Sequence, residues 1–189
     1  MSVLADHQIR VLAKEGMIEP FTDGQEKLGG VTAGLGPASY DVRLGEEFAW
    51  VVKSRKVSAM FDPSKPLSEG KGFVWVKSSA CGVVIQPGDF ILGHTAEVIT
   101  LPEDVVARVA DKSTWARLGL QVKNTLIDPG FSGQVTLEFA NEGPLPIKLT
   151  AGVGIAQIVF EQLASPCEKP YCGRYMDQRG VVIPKGTDE

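Results

Sequence analysis

Residues 112–141, KSTWARLGLQVKNTLIDPGFSGQVTLEFAN, set a cluster of anion-binding donors beside a strand-like run carrying one carboxylate. Lys112, Ser113, Thr114 and Arg117 supply two cations, two hydroxyls and backbone N–H groups within six residues. Arginine binds phosphate bidentately, lysine acts as a mobile point charge and hydroxyls complete the shell, so this donor set suits a triphosphate. The same spacing also suits a helical turn capped by Ser113 with a solvated arginine, and composition does not separate the two. In 134–140, QVTLEFA, strand alternation puts Val135, Leu137 and Phe139 on one face and Gln134, Thr136 and Glu138 on the other. The apolar row reads as core. Glu138 is then a carboxylate on a rigid element, suited to acid–base work, although the commoner role for a strand glutamate is a solvated face residue.

The elements that must position these groups are short. Leu4, Ile9, Leu12 and Ala13 fall near helical spacing, and Gly16 stands as a stop, which predicts one amphipathic helix within the first seventeen residues or so. The Gly-rich, polar stretch 24–37 reads as a loop, SYDVRLGEEFAWVV as strands, and 62–71 as another loop. From Phe73 onward short apolar runs alternate with turn signals, among 21 glycines and 12 prolines in the chain. That pattern predicts an all-β barrel or sandwich with one N-terminal helix, in a single domain of 189 residues without internal repeats.

Composition closes off several other chemistries. The net charge of -4 lacks the basic field of a nucleic-acid binder. No run approaches the length of a membrane span, and the start has no apolar core of signal-peptide length, so a cytoplasmic protein is expected. Cys81, Cys167 and Cys172 lack C-x-x-C spacing, and His7 and His94 form no H-x-E or H-E-x-x-H pattern, which argues against catalytic zinc. His94 reads as a strand residue. Neither a G-x-S-x-G elbow nor a P-loop occurs.

KSTWARLGL and GFSGQVTLEFAN resemble the phosphate loop and catalytic strand of the dCTP deaminases, members of the trimeric dUTPase-like superfamily. EGMIEPF, SYDVRLG, GVGIAQIVFE and QRGVVIPK are similar to further segments of that family, in the same order, so that the likeness covers essentially the whole chain and is greatest to the proteobacterial-type branch. The resemblance implies a dUTPase-like distorted β-barrel or jelly roll (β-clip) with a short N-terminal helix, in a homotrimer with active sites at subunit interfaces. It implies one domain over 1–189, with 165–189 as a C-terminal lid that bound triphosphate would order.

For the site, the resemblance implies that Glu138 is the general acid and base. Lys112, Ser113, Thr114, Trp115, Ala116 and Arg117 would form the triphosphate loop, partly through backbone groups. Asp128 would lie near the deoxyribose, Thr136 and Leu137 beside the nucleoside, and Gln157, Tyr171, Arg174 and Gln178 would be further nucleotide contacts. Arg174 stands where the family usually has lysine. The stretch from Arg117 to Asp128 keeps Thr125 but lacks a histidine and an alanine common in other members. The implied activity is a hydrolase acting on a cyclic amidine C–N bond, turning dCTP into dUTP and ammonia on the route to dUMP and dTTP. It would use no zinc, with Mg²⁺ carried on the triphosphate and dTTP as a feedback inhibitor. A bifunctional enzyme taking dCTP to dUMP and pyrophosphate, or a dUTPase, with Asp128 orienting the water, is the alternative hydrolytic reading; a non-catalytic nucleotide-binding relative is the third.

Overall fold

A computed structural model describes residues 2–53, 73–79, 82–123 and 125–185. The loop expected over 62–71 and Cys81 lie outside the described residues. In chain order the elements are β1 (Ser2–Val3), α1 (Asp6–Lys14), β2 (Ile18–Glu19), β3 (Gln25–Leu28), β4 (Val31–Leu35), β5 (Tyr40–Arg43), β6 (Glu47–Lys53), β7 (Phe73–Ser79) and β8 (Gly82–Ile85). There follow β9 (Phe90–Thr100), β10 (Val105–Asp111), α2 (Ser113–Ala116), β11 (Leu120–Val122), β12 (Leu126–Ile127), β13 (Ser132–Asn141), β14 (Ile147–Thr150) and β15 (Gly154–Gln162).

The architecture is mainly β with one N-terminal helix, as expected. Helix α1 buries Ile9 and Ala13 and opens with Asp6, whose charge suits the positive end of the helix dipole. It ends where Gly16 takes φ 98°. There the N–H groups of Gly16 and Met17 donate to the Ala13 and Leu12 carbonyls, a closure that a side chain at Gly16 would strain.

A seven-stranded sheet runs β12-β10-β15-β5-β4-β3 with β1 on β15, and a six-stranded sheet runs β11-β13-β9-β6-β7 with β2 on β9. Strands β8 and β14 form a separate ribbon. One apolar cluster joins both large sheets, with Tyr40, Ile158 and Phe160 from the first packed with Ile99, Leu137 and Phe139 from the second. A charged tie crosses between them as well. Glu97 on β9 is 0% exposed and accepts hydrogen bonds from Nε of Arg43 at 2.7 Å and from the Arg43 backbone N–H at 2.9 Å. Breaking such a buried pair from one side costs about 3–5 kcal/mol.

The stretch 24–37, expected as a loop, is instead the hairpin β3–β4, with Gly29 and Gly30 at its turn, both at positive φ. Its strand β3 lies at the sheet edge, so its polar residues face water and give no apolar alternation to read. No helix among the described residues is long and apolar enough to cross a membrane.

Candidate active site

The alternation read from the sequence is present along β13. Val135, Leu137 and Phe139 are buried, while Gln134, Thr136 and Glu138 are half-buried on the other face. The strand lies between β9 and β11, with Glu138 opposite Leu92 of β9. Register slips between Gln134 and Thr136, so that Thr95–Glu97 of β9 bulge against Val135. The bulge is stitched by side chains: the Val135 N–H donates to Oγ1 of Thr95 at 2.9 Å, and that hydroxyl donates to the Glu97 carbonyl at 2.7 Å. Beyond the bulge, Thr136 and Glu138 face a cavity of about 750 Å³.

Most of the cavity wall is apolar. Val51, Phe90, Leu92 and Phe131 belong to it, and Thr125, Asp128, Thr136, Glu138, Tyr171, Tyr175, Gln178 and Lys185 add polar groups. Burial pushes the Glu138 carboxyl above the usual glutamate range, and a hydrogen bond from Oγ1 of Thr125 to Oε2 at 3.1 Å opposes the shift. A carboxyl so placed is poised to take up and return a proton nearer neutral pH than a solvated one.

The C-terminal stretch roofs this cavity. Tyr171 donates its N–H to the Pro129 carbonyl at 2.8 Å and tilts its ring against Phe131 at 5.9 Å between centroids. Gly130, at φ 83°, lies so close to Pro170 that a β-carbon there would stand 2.6 Å from the Pro170 Cβ, which explains the Pro-Gly turn. Farther on, Gln178 donates Nε2 to the Gln134 carbonyl at 2.6 Å, the Gly180 N–H donates to Oε1 of Gln134 at 2.7 Å, and Val181 is fully buried. Lys185 closes the run, donating Nζ to the Arg174 carbonyl at 2.7 Å while Nη1 of Arg174 donates to the Lys185 carbonyl at 3.0 Å.

Of the residues expected in the site, Asp128, Thr136, Glu138, Tyr171 and Gln178 line this one cavity. Arg174 does not; it holds Lys185, which does. Leu137 is 1% exposed and points into the core, so only its backbone is available to a ligand. Gln157 sits on β15 between Ala110 and Asp41, away from the cavity lining.

The donor segment also lies outside the cavity lining. Residues Ser113–Ala116 form a helical turn whose cap position is Lys112, without a capping side chain, rather than Ser113. Ser113, Thr114, Ala116 and Arg117 are exposed. Trp115 is an anchor, donating Nε1 to the Gly154 carbonyl at 2.8 Å.

Lys112 departs most from expectation. Its side chain turns inward, 7% exposed, and Nζ bonds to Oδ2 of Asp41 and to Oγ1 of Thr32. Its charge is therefore held in place rather than offered as a mobile point charge. His94, on β9, is buried as a strand residue, with Nδ1 at 2.8 Å from the Thr95 carbonyl and Nε2 accepting from the Glu47 N–H. Burial lowers its pKa.

Thr125, Tyr175 and Lys185 carry the polar contacts of the cavity that sequence patterning did not single out. Thr125 lies in a connection and the other two in a tail, where no periodicity marks a face. The spacing of Tyr175 from Tyr171, whose hydroxyl accepts the Tyr175 N–H at 3.2 Å, was the one available hint.

A mainly β fold with a half-buried glutamate on an interior strand agrees with what comparison with known proteins finds. The dCTP deaminase-like family matches residues 3–163, and the chain belongs to that family. Similar curated proteins include the dCTP deaminases of Pelagibacter ubique, 43% identical, and Granulibacter bethesdensis, 41% identical, each over 189 residues that cover 98% of this chain and 100% of the relative. A similar solved structure, the 2'-deoxycytidine 5'-triphosphate deaminase of Agrobacterium tumefaciens, superposes with a TM-score of 0.57 at 26% identity, over 84% of this chain and 47% of that one.

Proposed function

We propose that the protein is a dCTP deaminase in which Glu138 activates water without zinc. The observation that carries this reading is the Glu138 carboxyl itself, half-buried in an apolar-walled cavity and held above its ordinary range by desolvation. In the ionised form it takes a proton from water as the oxygen bonds to cytosine C4. It then returns that proton as the C4–N bond breaks and ammonia leaves, and the second water proton moves from the C4 hydroxyl to N3, giving dUTP. Acid–base catalysis of this kind contributes about 10² to 10⁴-fold, and positioning by Thr136, Gln178 and Tyr171 around the base and sugar supplies much of the rest.

The triphosphate falls to Ser113, Thr114, Arg117 and the backbone from Lys112 to Ala116. Because this turn lies outside the cavity lining of its own chain, a homotrimer in which it completes a neighbour's cavity is the arrangement proposed. Mg²⁺ enters as part of the substrate, carried on the triphosphate; among the described residues no three His, Cys, Asp or Glu side chains gather as a metal site. Feedback by dTTP, which presents the same triphosphate, and a cytoplasmic setting complete the reading.

Asp128 favours a second reading. It is exposed at the lining of the same cavity, where it is able to orient a water toward the α-phosphate and make the enzyme bifunctional. Incubation with dCTP and Mg²⁺, resolving dUTP, dUMP and pyrophosphate, tests both. Release of dUTP and ammonia is expected; dUMP from both dCTP and dUTP would establish the bifunctional or dUTPase reading, and no product at all would mark a binding protein.

A further inference from the structure

Thr125 lies between β11 and β12, and backbone hydrogen bonds hold both Thr125 and Lys123. The Val109 N–H of β10 donates to the Thr125 carbonyl at 3.0 Å, and the Lys123 N–H donates to the Glu138 carbonyl at 2.9 Å. On this fixed mount the Thr125 hydroxyl has two acceptors in reach, Oε2 of Glu138 at 3.1 Å and the Lys123 carbonyl at 3.3 Å. A hydroxyl carries one proton, so it serves one acceptor at a time. An ionised carboxylate is the stronger acceptor, and a neutral acid is not.

We propose that Thr125 is a positioning residue for Glu138, a hydroxyl rotor that donates to Oε2 while the carboxyl is ionised and swings to the Lys123 carbonyl once it is protonated. With Oε2 occupied, Oε1 is the oxygen left to take the proton of the attacking water, so the proton lands on one defined atom. When the carboxyl has become an acid, the rotor's departure leaves it to deliver that proton to the leaving amine. Thr125 neither gains nor loses a proton across the cycle. This inference rests on the acid–base role proposed for Glu138.

Among the described residues, several other charged and titratable groups lie around Glu138. Asp128, Tyr171, Tyr175 and Lys185 share the cavity, and Lys185 is tied to the Arg174 carbonyl. On β9, His94 is held by Thr95 and Glu47, and after β11 the Lys123 ammonium pairs with Glu142. The Thr125 hydroxyl alone among these is shown hydrogen-bonded to the Glu138 side chain.

The test is the pH profile of kcat/KM for dCTP in Thr125→Val, Thr125→Ala and Thr125→Ser, with Glu138→Gln alongside. Valine keeps the shape of threonine and alanine relieves any crowding, so that a packing fault in one does not hide the loss of the donor in both. Both are expected to move the acidic limb upward by about one pH unit and to lower kcat roughly tenfold, while serine keeps the limb in place. An unmoved limb in the valine and alanine variants, or a serine variant that shifts with them, overturns the proposal. Glu138→Gln separates the two levels: residual turnover near wild type sinks the acid–base reading itself, whereas an inactive Glu138→Gln with an unmoved Thr125→Val limb sinks only the rotor.

Discussion

Glu138 and Arg117 belong to the same stretch of sequence, yet the fold treats them in opposite ways. Glu138 is drawn under a roof of tail residues, against apolar walls, where loss of water raises its pKa. Arg117 is left on an exposed helical turn, after a lysine whose own charge has been buried against Asp41. Proton transfer profits from a dry, rigid seat, because desolvation tunes the carboxyl toward working pH. Recognition of a flexible, highly charged triphosphate is served by mobile donors in solvent, which reach out to the ligand. On the proposed function, one motif therefore holds two half-sites with different physical requirements.

Substitutions should separate the halves by what they damage. The largest effect is expected for Glu138→Gln: dCTP turnover falls by about 10² to 10⁴-fold while affinity for dCTP changes little. Ammonia release measured beside calorimetric titration reads both quantities. Next comes Lys112→Met, which leaves the Asp41 carboxylate buried without its counter-charge, though still hydrogen-bonded by Gln25 and Thr32. It should cost about 3–5 kcal/mol of stability, visible as a lowered thermal midpoint. If Lys112 were instead a phosphate donor, the melting point would hold and only dCTP binding would weaken.

Arg117→Ala is expected to be milder, raising KM for dCTP by about ten- to a hundredfold for the loss of one charge-assisted contact, with kcat moving far less. Steady-state kinetics with dCTP and dCMP compared would show whether the lost contact belongs to the outer phosphates. The smallest effect is on pH. Because the folded-state pKa of Glu138 is raised, its base form is lost as pH falls through that raised value, so kcat/KM should decline on the acid side at a pH above the ordinary glutamate range. The same burial destabilises the ionised form, so this group's contribution to folding is present at low pH and is lost as pH rises through the folded pKa. A rate profile with its acid limb at an ordinary glutamate value would show that Glu138 is solvated in the working enzyme.

The parts legible in the sequence were those governed by local period or local stereochemistry. Strand β13 announced its buried face because alternation is a property of the strand itself, and α1 announced its end at Gly16 because a left-handed residue there suits glycine. The hairpin β3–β4 went unread, since an edge strand needs no apolar face, although Gly29-Gly30 carried a turn signal.

Lys112 was read as a phosphate ligand because composition counts a cation without knowing its partner. Asp41 lies far away in the chain and reaches Lys112 only when β5 and β10 both pair with β15. The tail shows the same limit: Tyr175 and Lys185 reach the cavity through docking on β13 and its neighbours, a long-range event with no periodic trace. Resemblance to a family supplied Tyr171 and Gln178, which pattern alone would have missed.

Whether the half-sites meet across chains is open to a direct test. Glu138→Gln and Arg117→Ala chains, the first inactive and the second weakened at low substrate, are dissociated, mixed in equal amounts and allowed to reassemble before dCTP deamination is measured at dCTP well below the raised KM. If the turn of one chain completes the cavity of another, a closed ring assembled at random regenerates about one quarter of its sites with both native groups, and activity rises well above the sum of the parents. A mixture no more active than that sum, with exchange of chains verified by mass, would show that the cavity and the turn do not form one site between subunits.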